Sequence, residues 1–300
     1  MRKRKLLLKN GMIACCVLAV TSLIVPFAAG NIIVADDFGY PDGALVPNNG
    51  GFSQNATNQW TGAWQNSADL PAADPTKWRV SSGNVDTDPT IGFGIPNNVI
   101  DRPFTTDLPA GTTVYFGFDL KRYTGSSGTL FGMTLGIPNR GAGSQPNMTL
   151  LGITGGPSGA GATRFSMNGN IISGGVSAGT FATDVFHRFV GRIEFDAGVD
   201  AETGTMIADV MSVWANPTSE ADVPLLVKPD QDMEIGNNMN GLTMGIMARD
   251  IFSDPAWAVD NMVLSTDFNS ARTGIPEPAT LSLLGIVMAC LAVRRKVKRS

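Results

Sequence analysis

Apolar residues in this chain recur at every second position, in runs too short for a helical period to take hold. Val114, Phe116, Phe118 and Leu120 fall on one side of an extended segment, with Tyr115, Asp119 and Lys121 on the other. Phe131, Met133, Leu135 and Ile137 make a second such face. His187, Phe189, Ile193 and Phe195 make a third, alternating with Arg188, Arg192 and Glu194. Met206, Ala208, Val210 and Trp214, then Leu242, Met244, Ile246 and Ala248, and finally Trp257 through Leu264 continue the series. Side chains of a strand point to alternate faces, so these are half-buried strands. Gly, Pro and Asn clusters separate the runs. Asn168-Gly169, between Arg164–Met167 and Asn170–Ser173, predicts a two-residue hairpin turn. The expected fold is all-β, an antiparallel two-sheet jelly-roll sandwich. No internal repeat is evident, and residues 269–275 are expected to form a spacer after the last strand.

The two ends follow different rules. Met1-Arg2-Lys3-Arg4-Lys5 is basic, an apolar stretch runs from about Gly11 to Phe27, and Ala28-Ala29-Gly30 supplies small residues. That order is the pattern of a secretory signal peptide, expected over residues 1–30 with a signal helix in its apolar part. At the other end Pro276-Glu277-Pro278 leads into fifteen uncharged residues, Ala279 to Val293, and then Arg294-Arg295-Lys296-Val297-Lys298-Arg299. Pro278 suits a first helical position, and a short hydrophobic helix is expected after it. Fifteen residues of helix span roughly 22 Å, short of the roughly 30 Å hydrocarbon core. Snorkelling by Arg294 and Arg295 extends the reach, and the basic end favours the cytoplasmic side. The predicted result is a marginal, transient anchor in the inner membrane.

This three-part tail over residues 276–300 resembles the PEP-CTERM sorting signal of Gram-negative bacteria. The resemblance implies that an exosortase recognises Pro276, Glu277 and Pro278, with Arg294, Arg295 and Lys296 as the basic stop. It further implies export through the general secretion machinery and signal peptidase, then delivery to the cell envelope, cell surface or extracellular matrix.

Removing both ends changes the chemistry of what remains. Cys15, Cys16 and Cys290 all lie in the end segments, so residues 31–275 offer no disulfide and no thiolate. That region carries 12 basic and 25 acidic residues, a net charge of −13. Such a surface lacks the basic patches that nucleic acid or anionic lipid require.

Several segments of the remaining domain, residues 31–268, are similar to the concanavalin-like (laminin G-like) domains. Asp36-Asp37-Phe38-Gly39-Tyr40-Pro41-Asp42-Gly43-Ala44-Leu45, followed by Trp60-Thr61-Gly62-Ala63-Trp64, looks like their opening strand and aromatic turn. Phe189 to Asp196, then Val213-Trp214-Ala215-Asn216-Pro217, resembles their central strand pair, and Val259 to Thr266 their closing strand. The resemblance implies a fold and no particular ligand, because lectins, hydrolases and structural modules share it.

Candidate chemistry is sparse. A sandwich glycosidase needs two carboxylates flanking the scissile bond from one strand face. Glu194-Phe195-Asp196 comes nearest, yet Ala197-Gly198-Val199 stands where a third carboxylate would follow. His187 is the only histidine and keeps register with Phe189 and Ile193, as a packed or edge-of-core residue does. Asn55-Ala56-Thr57 and Asn147-Met148-Thr149 match the glycosylation sequon, as chance alone provides. Adjacent first and last strands would bring Asp36 or Asp37 near Asp260, where a calcium ion would relieve carboxylate repulsion. The competing reading has Asp260 bonding backbone amides at a turn. Trp214 and Trp257 are expected in the core, and Trp60 and Trp64 at a ligand-contact surface. The sequence therefore predicts an exported, exosortase-sorted protein whose sandwich binds or builds, with exopolysaccharide as a candidate associate and with no catalytic residue and no required cofactor. A carbohydrate-active hydrolase on the same fold is the alternative.

Overall fold

The computed structural model describes residues 32–54, 57–66, 78–87, 98–109, 112–123, 130–136, 148–154, 164–168, 176–178, 181–194, 209–231, 243–249 and 257–274. Both apolar end segments, with Pro276, Glu277, Pro278, Arg294, Arg295 and Lys296, lie outside them. Among the described residues no helix is long and apolar enough to cross a membrane.

The strands begin with β1 (Ile32–Asp36), β2 (Gly43–Ala44), β3 (Phe52–Ser53), β4 (Gln59–Trp60), β5 (Gln65–Asn66) and β6 (Trp78–Ser81). They continue with β7 (Asn84–Thr87), β8 (Asn98–Thr105), β9 (Val114–Arg122), β10 (Leu130–Gly136), β11 (Met148–Thr154) and β12 (Arg164–Asn168). The last are β13 (Val176–Ala178), β14 (His187–Glu194), β15 (Asp209–Ala215), β16 (Leu226–Gln231), β17 (Thr243–Arg249) and β18 (Trp257–Ser265). A single described helix, α1 (Phe268–Thr273), follows.

The described strands form two antiparallel sheets. One runs β16-β15-β14-β9-β18-β7-β6-β2, with β1 pairing β18 and β3; the other runs β13-β12-β11-β10-β17-β8-β4, with β5 on β8. The alternation read from the sequence is the alternation of burial. Val114, Phe116, Phe118 and Leu120 of β9 are fully buried, while Tyr115, Asp119 and Lys121 between them are half-buried. One apolar core joins these side chains with Phe189 and Ile193 from the first sheet and Ile100, Phe104, Met133, Met244 and Ile246 from the second. Phe118 and Phe189, paired across β9 and β14, stack with ring centroids 5.6 Å apart. Such cross-strand pairs fix register, because a slip of one residue would turn every apolar side chain to the wrong face.

Two local expectations need correction. The hairpin predicted at Asn168-Gly169 pairs instead with β13, placing Phe165 opposite Ala178 and Met167 opposite Val176. A two-residue turn would have set polar Asn170 against Met167, whereas the observed register matches apolar with apolar. The connecting residues 169–175 lie outside the described set. The spacer expected at 269–275 is largely α1, a packed helix. Asp267 caps it by accepting from the Ser270 N–H at 2.8 Å, and Phe268 and Ala271 are buried beneath it.

Candidate functional site at the end of the last strand

Asp36 closes β1 and is fully buried. Its Oδ1 accepts from the Phe38 N–H at 2.9 Å; its Oδ2 accepts from Tyr40 Oη at 2.5 Å and Trp64 Nε1 at 2.9 Å. Arg102 Nη1 completes the set at 2.9 Å, both side chains being 1 % exposed. Arg102 also donates to Gly62 O at 2.8 Å and to Asn49 Oδ1 at 2.7 Å, and it lies over the Trp60 ring at 4.5 Å. Burial pushes the Asp36 carboxyl above the usual carboxylate range, with the hydrogen bonds and the Arg102 charge pulling the other way. The same burial holds the Tyr40 phenol above its ordinary range, so it stays a donor. Since β1 belongs to one sheet and β8 to the other, this ion pair ties the two layers together.

The cluster corrects two expectations. Trp60 is 8 % exposed and Trp64 1 % exposed, so neither forms a ligand-contact surface. Their indole N–H groups are spent internally, Trp60 on Ala35 O and Trp64 on Asp36, while their rings pack on Phe104 and Phe38. The Gly and Asn residues around them suggested an open loop, but they let the loop fold inward over the core. Nor do Asp36, Asp37 and Asp260 converge as calcium ligands. Asp36 faces Arg102, Asp37 is exposed and accepts from the Gly39 N–H at 3.2 Å, and Asp260 accepts from the Asn261 N–H at 2.6 Å. Among the described residues no group of three His, Cys, Asp or Glu side chains could hold a metal ion.

The adjacency behind the calcium idea is nevertheless present: Asp36 pairs with Met262 across β1 and β18. On the other side of β18, Asp260 lies opposite Asp119 of β9. Burial first, then the negative charges of Asp119 and Asp37, push the Asp260 carboxyl up to about 7 from 3.8. Between those values the native state keeps a proton that the unfolded chain has already lost. Native stability therefore falls as pH rises from about 4 to about 7, and the loss is complete above that. Asp260→Asn should melt later than the parent in urea at pH 8, with the gap closing by pH 4. Parallel curves across that range would contradict the assignment.

Just beyond Asp260 the pairing of β18 with β9 slips, from Asp260 opposite Asp119 to Val263 opposite Gly117, so β18 carries one extra residue there. Asn261 takes a left-handed conformation (φ 52°) in this bulge, which asparagine tolerates better than most residues. The bend aims the Asn261 carbonyl at Arg188, whose Nη1 donates to it at 2.7 Å. The same guanidinium donates through Nε and Nη2 to the carbonyl of Ala271 in the last turn of α1. Its Nη1 stands 3.5 Å from Asp119 Oδ2, and Asn261 Nδ2 donates to that carboxylate at 3.3 Å. A cation bonded to the final carbonyls of a helix satisfies acceptors that the helix cannot and opposes the negative end of its dipole.

Gly117 lies under this contact, and a Cβ there would overlap the Ala271 carbonyl oxygen and the Arg188 guanidinium. Phe268 meets the ring edges of Tyr115 (6.0 Å) and Trp214 (5.4 Å), forming with Val190 and Ala271 a small apolar cluster separate from the main core. The helix stops at Gly274, whose φ of 74° suits glycine and whose N–H bonds Ser270 O at 3.1 Å. A Cβ at Gly274 would collide with the Asn261 side chain, so bulge and helix end are fitted to each other.

The remaining candidates are occupied. Glu194 Oε2 accepts from Arg192 Nη2 at 3.0 Å, and Arg192 reaches Glu220 at 3.1 Å; Asp196 lies outside the described residues. His187 holds Ala182 O at 3.1 Å through Nε2 and Asn216 Nδ2 at 3.2 Å through Nδ1, with its ring against Phe181. This is the edge-of-core histidine expected from its register. Trp214 and Trp257 are buried, also as expected. Sequence reasoning missed Arg188 and the bulge. The available signal was Asp260-Asn261 inside an otherwise apolar strand, two residue types that strands disfavour.

No curated protein matches the chain. Several solved structures resemble the fold distantly. A β-1,3-glucanase from Mycobacterium marinum is 12% identical, with 79% of this chain and 99% of that one covered and a TM-score of 0.44. A glycosyl hydrolase family 16 protein from Mycobacterium smegmatis gives 13%, 78%, 99% and 0.44. The CBM2 module of an evolved Dit from Lactobacillus casei BL23 phage J-1 gives 8%, 78%, 95% and 0.45. At such values these likenesses carry no statement about what this chain binds or cleaves. Residues 274–296 do match a characterised signal, beginning at the glycine that ends α1. That match is to the PEP-CTERM protein-sorting motif, the recognition signal of exosortase, and it marks the chain as an exported protein destined for the cell envelope or surface.

Proposed function

We propose that this chain is a non-enzymatic β-sandwich, a concanavalin-like jelly roll, exported and sorted by exosortase to serve as a binding or structural module of the cell surface or extracellular matrix. The observation that carries the reading is the sorting motif at 274–296 following directly on a packed domain. In this reading signal peptidase removes residues 1–30, the apolar tail holds the chain briefly in the inner membrane, and exosortase acts at Pro276-Glu277-Pro278. The non-enzymatic part is supported by chemistry already committed elsewhere: Glu194 is paired with Arg192, and both nitrogens of His187 are engaged. The net charge of −13 over residues 31–275 favours a neutral polysaccharide over an anionic one as its associate.

Intact mass of the protein recovered from envelope and medium tests the sorting. The expected species has lost both ends, and Glu277→Ala accumulates with its tail uncut. A mature form that keeps residues 276–300 would defeat the proposal. A glycan array beside a hydrolysis assay tests the rest. Binding without release of reducing sugar is expected; release that Glu194→Gln abolishes would establish the hydrolase reading instead.

A further inference from the structure

The helix that separates the sandwich from the sorting motif is held by a device with no evident role in the core. α1 has only six residues, too few to persist alone in water, so its docking decides whether it exists. Docking rests on Phe268 and Ala271 in their small apolar cluster, on the Arg188 guanidinium over the Ala271 carbonyl, and on the close approach that Gly117 permits. None of these side chains belongs to the main core that joins the two sheets. The helix can therefore leave while the sandwich stays folded.

What changes on leaving is length. Docked, α1 is closed by Gly274, and in the sequence only Ile275 separates that glycine from Pro276. Two steps of extended chain reach about 7 Å. Undocked, the free chain begins after Ser265, the end of β18, eleven steps before Pro276. Those steps reach roughly 36 Å. A protease binds several consecutive substrate residues in extended form. A bond beside a packed element is cut through the population in which that element has opened.

We infer that α1 is a latch: docked through Arg188, it leaves too little free chain before the sorting motif for ready access, and its release admits exosortase. The inference rests on the sorting reading above. Arg188 acts as a positioning residue, touching neither the motif nor the enzyme. The bulge at Asn261 sets the latch, since its carbonyl and its contact with Gly274 hold guanidinium and helix end together.

The experiment follows tail removal by pulse-chase and intact mass in producing cells. The full-length variants are Arg188→Met, a six-residue Gly-Ser insertion after Gly274, the two combined, and Glu277→Ala. Amide exchange of the mature domain reports whether the Ala271 and Gly274 N–H groups, bonded to Asp267 and Ser270 in the parent, have been freed while strand amides stay protected. Arg188→Met should speed tail removal about tenfold, the factor that 1.4 kcal/mol of lost docking gives, and the insertion, which lengthens the free chain with α1 still docked, should speed it by a similar factor. The combination should add little to the larger single effect.

Unchanged or slower removal in both variants, with α1 amides freed in Arg188→Met and Glu277→Ala still uncut, would overturn the latch and leave sorting intact. Normal removal in Glu277→Ala would overturn the sorting reading and the latch with it. If Arg188→Met also loses strand protection, the insertion decides alone: faster removal supports the latch, and the parental rate refutes it.

Discussion

Arg102→Met should lower the unfolding free energy by about 3–5 kcal/mol at pH 7, the range for removing one member of a buried ion pair. The cost comes less from the lost attraction than from what is left behind. Asp36 would remain enclosed with a charge or a forced proton, and Tyr40, Asn49 and Gly62 would each lose a bond to the guanidinium. Because the pair connects strands of different sheets, the loss should register as global unfolding, not as fraying of one loop. Urea titration followed by tryptophan fluorescence measures it. Replacing both partners, with Asp36→Leu added to Arg102→Met, should restore part of the loss, since two apolar groups leave no stranded charge. A decrease under about 1 kcal/mol for the single variant would mean that the pair is solvated.

Trp64→Ala carries the second large effect, about 3–5 kcal/mol, as for other buried aromatic-to-alanine changes. The ring fills space against Phe38 and Trp60, and its N–H is one of the donors on Asp36 Oδ2. Combined with Arg102→Met the losses should not add, because both act on one carboxylate oxygen. A tryptophan serving as a ligand platform would behave oppositely, leaving the urea midpoint nearly unchanged and weakening binding. Parent-like stability in Trp64→Ala would restore the contact-surface reading that burial removed.

These two residues also mark where sequence alone stopped. Strands such as β9 and β14 were legible because one buried face imposes a two-residue period on every side chain. The fate of Trp60 and Trp64 was not, since a Gly- and Asn-rich loop has no period to report whether it turns inward. Asp36 was legible as important and misread in role: adjacency to β18 was expected, but a partner 66 residues away on the opposite sheet leaves no local trace. The packed helix at 268–273 was hidden for a different reason. Six residues with no first-turn acidic side chain give a faint helical signal, and a single arginine on a strand does not announce that it will cap them. Sorting was the most legible property, because proline, greasy and basic segments in fixed order are read locally.

Ile32 of β1 faces Ser265 of β18 across the ladder, so the strands that begin and end the sandwich meet at one corner. Neighbouring strands lie about 4.8 Å apart. A short linker could therefore join the two ends of the sandwich while the β1–β18 ladder stays intact.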